Sequence, residues 1–241
     1  MAYPQINLCK QYLTRLNNHK LIAEQLQHFW QELEPYACKL IPVSKTKPNE
    51  ILLEAYAAGN RIFGENKVQE LVAKHEVLAD DIEWHYIGHL QRNKVKFIAP
   101  FVHLIHAVDS PRLLNTINSE GKKNNRVINC LLQVHIAKEE SKFGFNQDEL
   151  FELITSSNWQ ALNNIKVVGL MGMATFTDNE EQIRGEFKYL ANLNSKLKTM
   201  ALPQNVTLNE LSMGMTNDYK IALEEGSTMI RIGTAIFGSR T

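Results

Sequence analysis

Lys45 is the residue of this chain whose position best suits covalent chemistry. It follows a short apolar run in the segment KLIPVSKTKP (39–48). A lysine beside apolar residues at the end of a strand can be partly desolvated, and desolvation favours its neutral form. A neutral amine attacks an aldehyde to give an imine. The alternative is a solvated surface lysine, which is the commoner state of a lysine that follows a strand.

Two turns near the end of the chain combine hydroxyl side chains with glycines. Ser212, Gly214 and Thr216 lie in SMGMT, and Gly233 and Thr234 follow in RIGTAIFG. Hydroxyls and unobstructed backbone N–H groups are common donors to a phosphate. The alternative is that both glycines only let the chain turn. Together with an imine-forming lysine, these groups indicate a phosphorylated aldehyde as the ligand.

Three further polar residues lie in or beside apolar runs. Arg231 interrupts MIRIG, and a guanidinium there needs a partner, either a carboxylate or the ring nitrogen of a bound pyridine. An arginine at that nitrogen would leave it largely unprotonated, because two positive groups repel. His85 is predicted either to line the site or to be a hydrogen-bonded core residue. Asn66 is predicted to reach the ligand, to cap the next helix, or both.

The histidine and cysteine patterns do not favour a metal site. His103 and His106 are three apart on a predicted strand, so they are expected to point to opposite faces. Cys9, Cys38 and Cys130 are odd in number and widely spaced, which argues against a disulfide framework or a zinc site. We therefore predict no metal and reduced thiols.

Eight short apolar runs alternate with longer helical patterns after residue 38. The runs cover 39–44, 61–64, 83–88, 103–108, 127–135, 166–173, 207–214 and 229–233. Strands joined by helices pair in parallel, and eight of them close into a barrel filled by side chains. We predict a single (β/α)8 barrel over residues 1–241, with an N-terminal helical extension in the first 34 residues. An open doubly wound sheet is the alternative.

Particular residues are predicted to bound the helices. Pro48 and Gly59 flank the first helix after the initial strand, and Gly121 is predicted to end the helix that Pro111 begins. In a barrel the functional groups lie at the carboxyl ends of the strands, so the candidate residues above should converge there. Pro42 removes one N–H group from the first strand.

The overall composition excludes some partners. Lysine plus arginine and aspartate plus glutamate both number 26, so the chain lacks the positive charge that binders of nucleic acid rely on. Its apolar stretches are too short to span a bilayer, and its first residues lack the layout of a secretory signal. We predict a cytoplasmic protein with a small-molecule partner, bound to neither nucleic acid nor membrane.

Six segments resemble a known family. They are VSKTKP (43–48), FGENKVQE (63–70), WHYIGHLQRNK (84–94), SKFGF (141–145), GLMGM (169–173) and LSMGMTNDYKIALEEGSTMIRIGTAIFG (211–238). In order and spacing they are similar to the pyridoxal phosphate homeostasis proteins, the YggS/PROSC family, from about residue 5 to the end. Thr216 stands where the family usually has serine, and it keeps the hydroxyl.

The resemblance implies a barrel like the N-terminal domain of alanine racemase, with pyridoxal 5′-phosphate bound as an imine. The implied cofactor-binding residues are Lys45 for the imine, Ser212, Gly214, Gly233 and Thr234 for the phosphate, Arg231 for the pyridine nitrogen, and Asn66 and His85 beside the ring. Lys47 and Lys142 stand where the family also has lysines, which implies a part in cofactor exchange.

The resemblance also implies a role. Family members buffer or deliver the cofactor without established catalytic turnover, so pyridoxal phosphate-dependent apoenzymes are the implied recipients and a monomer is the implied state. One alternative is a pyridoxal phosphate-dependent racemase, which needs a second acid/base group from another domain that we do not expect here. Another is a cofactor-free aldolase that uses Lys45, which would be colourless.

Overall fold

Eight parallel strands form the centre of the molecule. The structure is a computed structural model that describes residues 21–138 and 143–238. The strands are β1 (Lys39–Pro42), β2 (Ile62–Glu65), β3 (Glu83–Tyr86), β4 (Leu104–Val108), β5 (Ile128–Gln133), β6 (Ile165–Met171), β7 (Val206–Met215) and β8 (Met229–Ile232). Every strand matches its predicted run to within two residues at each end.

Helices follow the strands and cover the outside of the sheet. They are α1 (21–33), α2 (Asn49–Ala57), α3 (Val68–His75), α4 (Val95–Ile98), α5 (Pro111–Lys123), α6 (Gln147–Thr155), α7 (Glu180–Lys198), α8 (Tyr219–Glu224) and α9 (Thr234–Phe237). The predicted leading helix is confirmed for 21–33, while residues 1–20 lie outside the described part of the chain. Sequence patterns missed α4 and α9, because one turn of helix is too short to show a period.

The sheet closes on itself. Its order is β1-β8-β7-β6-β5-β4-β3-β2, and a parallel bridge from Val43 to Gly64 joins the ends of the two outer strands. The Ser44 N–H donates to the Gly64 carbonyl at 3.0 Å. The predicted (β/α)8 barrel is therefore confirmed, and the open sheet is not what forms.

Pro42 fits β1 because of the direction in which its missing N–H would point. The N–H groups of Lys39 and Val43 donate towards β8, to Thr228 and Ile232, and that of Ser44 donates towards β2. Alternate residues of a strand face opposite neighbours, so position 42 faces β2. Pairing with β2 at this end begins only at Val43, so no ladder bond is lost.

Two apolar clusters hold the barrel together. The larger one joins the strands to the helices through buried residues such as Leu52, Phe63, Leu71 and Trp84. The smaller one consists of strand residues alone, as expected for the interior of a barrel filled by side chains. Its members are Ile41, Leu104, Ala107, Leu131, Met171 and Met229.

Gly121 is not the exit of its helix, and that prediction is wrong. α5 continues to Lys123, and Gly121 lies inside it. A Cβ at this position would stand 2.6 Å from the Asn164 carbonyl oxygen. The glycine therefore permits close packing of α5 against the turn before β6, which outweighs its poor helix propensity.

The described residues include two cysteines and no helix suited to a membrane. Cys38 and Cys130 are free thiols, and Cys9 lies outside the described residues. Across 21–138 and 143–238, no helix is long and apolar enough to cross a bilayer.

Candidate functional site

The turn after β1 presents Lys45 at the carboxyl end of the barrel. The Lys47 N–H donates to the Ser44 carbonyl at 3.0 Å, which makes a tight turn around the half-buried Lys45. Thr46 has a φ of 64°, and a β-branched residue in this region costs on the order of 1–2 kcal/mol. Its N–H donates to Glu70 Oε1 at 2.5 Å, which offsets part of that cost. The turn is therefore fixed by one backbone hydrogen bond of its own and by the contact of Thr46 with the Glu70 side chain.

A buried cluster of charges supports this turn. Lys74 Nζ donates to Glu65 Oε1 at 2.6 Å, to Glu70 Oε1 at 2.7 Å and to the Ser44 carbonyl at 2.8 Å. The Ser44 hydroxyl donates to Glu65 Oε1 at 2.5 Å. Burial raises the pKa of Glu65, and the charge of Lys74 opposes that shift. We call Ser44, Glu65, Glu70 and Lys74 the ion cluster; it anchors the residue that precedes Lys45.

Arg231 lies buried in β8 with neutral hydrogen-bond partners. Its Nη1 donates to Ser212 Oγ at 2.6 Å and its Nη2 donates to the Gly172 carbonyl at 3.1 Å. Burial lowers the pKa of Arg231 to about 10, while the charge of Asp218 acts in the opposite direction. No carboxylate of the described residues accepts a hydrogen bond from this guanidinium. Its charge is therefore left without a bonded counter-ion.

Two buried histidines extend the chain of contacts from Ser212. His106 Nδ1 lies 2.9 Å from Ser212 Oγ, and His106 Nε2 lies 2.9 Å from His85 Nδ1. Burial lowers the pKa of His85 to about 3 and lowers that of His106 as well. Both rings are therefore neutral at neutral pH. We call Arg231, Ser212, His106 and His85 the relay, because it crosses the barrel through polar contacts alone.

His103 and His106 do not face opposite ways, so that prediction is wrong. His106 bonds to His85, and the ring of His103 lies parallel to that of His85 at 5.4 Å between centroids. The alternation rule holds only within a strand. β4 begins at Leu104, so His103 precedes it and is free of the rule.

The carboxyl end of β7 requires glycine. Gly214 has a φ of 93°, and a Cβ there would stand 2.6 Å from Ala222 Cβ. The Met215 N–H donates to the carboxylate of Asp218 at 2.5 Å, which fixes the turn. Burial raises the pKa of Asp218. Ser212 and Gly214 thus lie two residues apart near the carboxyl end of β7.

Asn66 follows β2 in a closely packed backbone. A Cβ on Gly88 would lie 2.3 Å from the Asn66 carbonyl oxygen, so only glycine lets the two loops approach. The Tyr86 hydroxyl donates to the carbonyls of Asn66 at 3.2 Å and His89 at 3.1 Å. The backbone of Asn66 is therefore fixed beside the exit of β3.

Gly233 and Thr234 lie next to the strand that carries Lys45. The Val43 N–H donates to the Ile232 carbonyl at 2.7 Å, and a Cβ on Gly233 would stand 3.4 Å from Val43. Thr234 begins α9 and is exposed. The hydroxyl and N–H groups of this turn therefore flank the end of β1.

The strand order determines which candidates meet. β2, β1, β8 and β7 are consecutive around the barrel, and their carboxyl ends carry most of the predicted site. These residues are Asn66, Lys45, Arg231, Gly233, Thr234, Ser212 and Gly214. His85 is separated from them by His106, inside the barrel. Contact of any of these residues with a cofactor stays a prediction.

Lys47 and Lys142 are the two lysines that the family resemblance implies in cofactor exchange. Lys47 lines a cleft of about 370 Å³ between the Lys45 turn and α3, together with Glu70 and Lys74. Lys142 lies outside the described residues.

Sequence analysis missed the roles of three residues. Lys74 was part of a helical pattern, and its spacing from Val68 and Leu71 on the buried side of α3 is a signal that was available. The sequence pattern indicated His106 only as a possible metal ligand, and no local pattern marks Asp218. Their partners lie on other strands or turns, and single-sequence patterns do not report such contacts.

The fold and site define a class of protein. The sequence model of the family described as "Alanine racemase, N-terminal domain" matches residues 18–241. An alanine racemase from Bartonella henselae with covalently bound pyridoxal phosphate shares the fold with a TM-score of 0.68, at 14% identity over 92% of this chain and 60% of that one.

Closer relatives specify the family within this class. The pyridoxal phosphate homeostasis protein of Aquifex aeolicus is 43% identical over 203 residues, which is 84% of this chain and 87% of that protein. PipY of Synechococcus elongatus, solved with pyridoxal phosphate bound, is 35% identical with a TM-score of 0.81 and covers 90% of this chain and 100% of that one. The chain belongs to the family of pyridoxal phosphate homeostasis proteins.

Proposed function

We propose that this protein binds pyridoxal 5′-phosphate at the carboxyl end of its barrel and buffers or delivers it, with Lys45 as the covalent attachment residue. The observation that supports the proposal most is that Lys45 and Gly233 follow the neighbouring strands β1 and β8, in a fold whose 35% identical relative PipY is solved with this cofactor. When bound, the cofactor supplies an aldehyde carbon that a neutral amine attacks.

The residues present fit the cofactor. Arg231 is a buried cation whose hydrogen bonds go to neutral oxygens, so it favours an electron-rich ring nitrogen or an anion nearby. A guanidinium beside the ring nitrogen keeps that nitrogen from binding a proton. This lowers the ability of the ring to stabilise a substrate carbanion, which supports a holder of the cofactor over a catalyst.

The phosphate is proposed to bind where β7 and β8 end. Gly214 and Gly233 bring backbone N–H groups there without a Cβ, the buried Ser212 and the exposed Thr234 add hydroxyls, and all four are proposed to contact the phosphate. The first N–H groups of a helix lack acceptors within it, so those that open α9 are available as donors.

Asn66 is proposed to lie beside the ring on the other side of Lys45. His85 is proposed to act on the site through His106 and Ser212, without direct contact with the ring.

Curated relatives that are 38–43% identical to this chain are named for homeostasis rather than for a catalysed reaction, whereas the racemase that shares the fold is only 14% identical. We propose that the chain likewise has no catalytic turnover, that it is a cytoplasmic monomer, and that apoenzymes are its recipients. The near balance of acidic and basic residues supports a partner other than nucleic acid.

Reductive trapping tests the attachment residue. The purified protein, loaded with pyridoxal phosphate and reduced with borohydride, is expected to carry the label on the peptide that contains Lys45. Lys45→Ala is expected to abolish the label and the yellow colour, whereas the matched variant Lys47→Ala retains both. Label on Lys47 or Lys142 with Lys45 unmodified would contradict the assignment.

Two assays then test the role. Incubation of the loaded protein with a panel of amino acids is expected to show no racemisation; turnover at about 1 per second or faster would make it an enzyme. Transfer of cofactor to an apoenzyme, compared with free cofactor at equal concentration, is expected to activate the apoenzyme. Failure to release the cofactor would rule out delivery.

A further inference from the structure

A second polar cluster lies at the amino end of the barrel, opposite Lys45. Glu83 is the first residue of β3, His85 is the third, and His103 immediately precedes β4. One donor atom of each residue lies within 4.8 Å of the donor atoms of the other two. His103 Nε2 lies 3.5 Å from Glu83 Oε2. Two imidazoles and a carboxylate therefore converge on one point.

His85 gives independent evidence that this point is a binding site. The residue is 2% exposed, and its Nε2 has no hydrogen-bond partner in the described part of the chain. Its Nδ1 is occupied by His106 at 2.9 Å, so Nε2 is the atom left to face Glu83 and His103. A buried ring nitrogen without a partner is costly, and native structures rarely keep one without a reason.

We propose that Glu83, His85 and His103 bind a divalent transition-metal ion of the zinc class, through His85 Nε2, a ring nitrogen of His103 and a carboxylate oxygen of Glu83. Water completes the coordination. Neutral imidazoles with one carboxylate form a borderline ligand set that suits zinc better than calcium or magnesium.

The geometry needs only movement of exposed side chains. Bonds of about 2.05 Å in a tetrahedron place ligand atoms about 3.3 Å apart. The pair His103 and Glu83 is already near that separation, and their side chains are 44% and 47% exposed, so both can rotate towards the fixed His85. The nearby cation Lys39 is neutralised by Glu210, at 2.6 Å from Nζ to Oε1.

Metal binding would determine how protons are arranged along the relay. For Nε2 of His85 to bind a metal, its proton must lie on Nδ1 and be donated to His106 Nε2. His106 then carries its proton on Nδ1 and donates it to Ser212 Oγ, which also accepts from Arg231. In the reverse arrangement the Ser212 hydroxyl donates to His106, and His85 presents an N–H to the cluster. The ion selects the first arrangement and so frees the Ser212 hydroxyl proton for another acceptor.

Cobalt titration tests the site directly. Full-length, tag-free protein is titrated with Co²⁺ and the visible absorption of a four-coordinate ion is followed, with displacement by Zn²⁺. We expect one equivalent per chain, with affinity at least tenfold weaker in His103→Ala and in Glu83→Gln. Both residues are exposed, so these variants should retain the circular dichroism of the parent. His28→Ala is the matched control, because His28 pairs with Glu32 at 3.6 Å and is not part of a three-ligand group among residues 21–138 and 143–238.

The cobalt titrations of the parent and the two histidine variants decide whether the metal site exists. Saturable binding that His103→Ala abolishes and His28→Ala retains supports the site. Absence of a one-equivalent phase, or equal binding by the parent and His103→Ala, overturns it. Long-range ¹H–¹⁵N spectra with zinc bound are expected to show His106 protonated on Nδ1; protonation on Nε2 would overturn the proposed arrangement of the relay.

Discussion

The ion cluster and the relay are both buried polar networks, but they treat charge in opposite ways. In the ion cluster, Lys74 is 4% exposed and is bonded to the carboxylates of Glu65 and Glu70. In the relay, the equally buried Arg231 donates to a hydroxyl and a carbonyl, and its remaining members are neutral. One network neutralises its cation internally, and the other does not.

This difference separates a stabilising function from a binding function. A buried ion pair is destabilising mainly when one partner is removed, because the other charge is then left uncompensated. The ion cluster therefore supports the turn that carries Lys45. A buried cation with neutral partners keeps part of its potential available to a ligand. We propose that the relay lies beside the ligand and that the charge of Arg231 acts there.

Lys74→Met should have the largest effect on stability. It leaves Glu65 buried with one hydroxyl as partner, and breaking a buried pair in this way costs about 3–5 kcal/mol. The free energy of unfolding from urea denaturation measures this. The double variant Glu65→Gln with Lys74→Met should recover a substantial part of the loss, because no uncompensated charge remains at that pair. A loss below about 1 kcal/mol in Lys74→Met would remove the distinction between the networks.

Acid should destabilise the protein through the relay. The folded pKa of His85 is about 3 against 6.5 for a free histidine, and that of His106 is also lowered, so the unfolded chain binds more protons as the pH falls below about 6.5. Stability is present above that pH and declines as the pH falls below it, by up to about 1.4 kcal/mol per pH unit for a ring that stays neutral in the folded state.

Replacement of one ring measures this contribution. His106→Asn should reduce the pH slope of the unfolding free energy by about 1 kcal/mol per pH unit between pH 6 and 5. His75, whose pKa burial also lowers, is present in both proteins and cancels. The exposed His28→Asn is the control and should keep the parental slope. An unchanged slope in His106→Asn would mean that this ring is not held neutral in the folded state.

Arg231→Met should have the smallest effect on stability and a large effect on ligand retention. Loss of a buried cation without a bonded carboxylate relieves a desolvation penalty, while Ser212 keeps its contact with His106. We expect the unfolding free energy to change by about 1 kcal/mol or less and retention of pyridoxal phosphate on gel filtration to fall at least tenfold. A loss of 3 kcal/mol or more would place Arg231 with the ion cluster as a stabilising residue.

The fold was predictable from the sequence because its elements are local. Alternating short apolar runs and helical patterns report strand and helix spacing directly, and the count of eight strands favours closure. Glycine roles were less predictable. Gly59, with a φ of 101°, ends α2 as expected, whereas Gly121 serves packing against Asn164, which lies on a distant segment.

The site was predictable only in part. Lys45 and Gly233 lie just after strands and Gly214 lies at the end of one, so a list of strand ends finds them. Lys74 and His106 carry no such mark, since a buried lysine in a helix and a histidine in a strand have many possible partners. Their roles follow from contacts across 9 and 106 residues of chain, to Glu65 and Ser212.

The sequence by itself determined the parallel barrel, the strand-end lysine and the family, because these depend on residue types at short spacings. Only the tertiary structure decided which buried cation is bonded to carboxylates and which has neutral partners. It also decided that His85 faces Glu83 and His103. The physical reason is that the energy of a buried polar group depends on the atoms within about 3–4 Å of it, and in this barrel those atoms come from strands far apart in the chain.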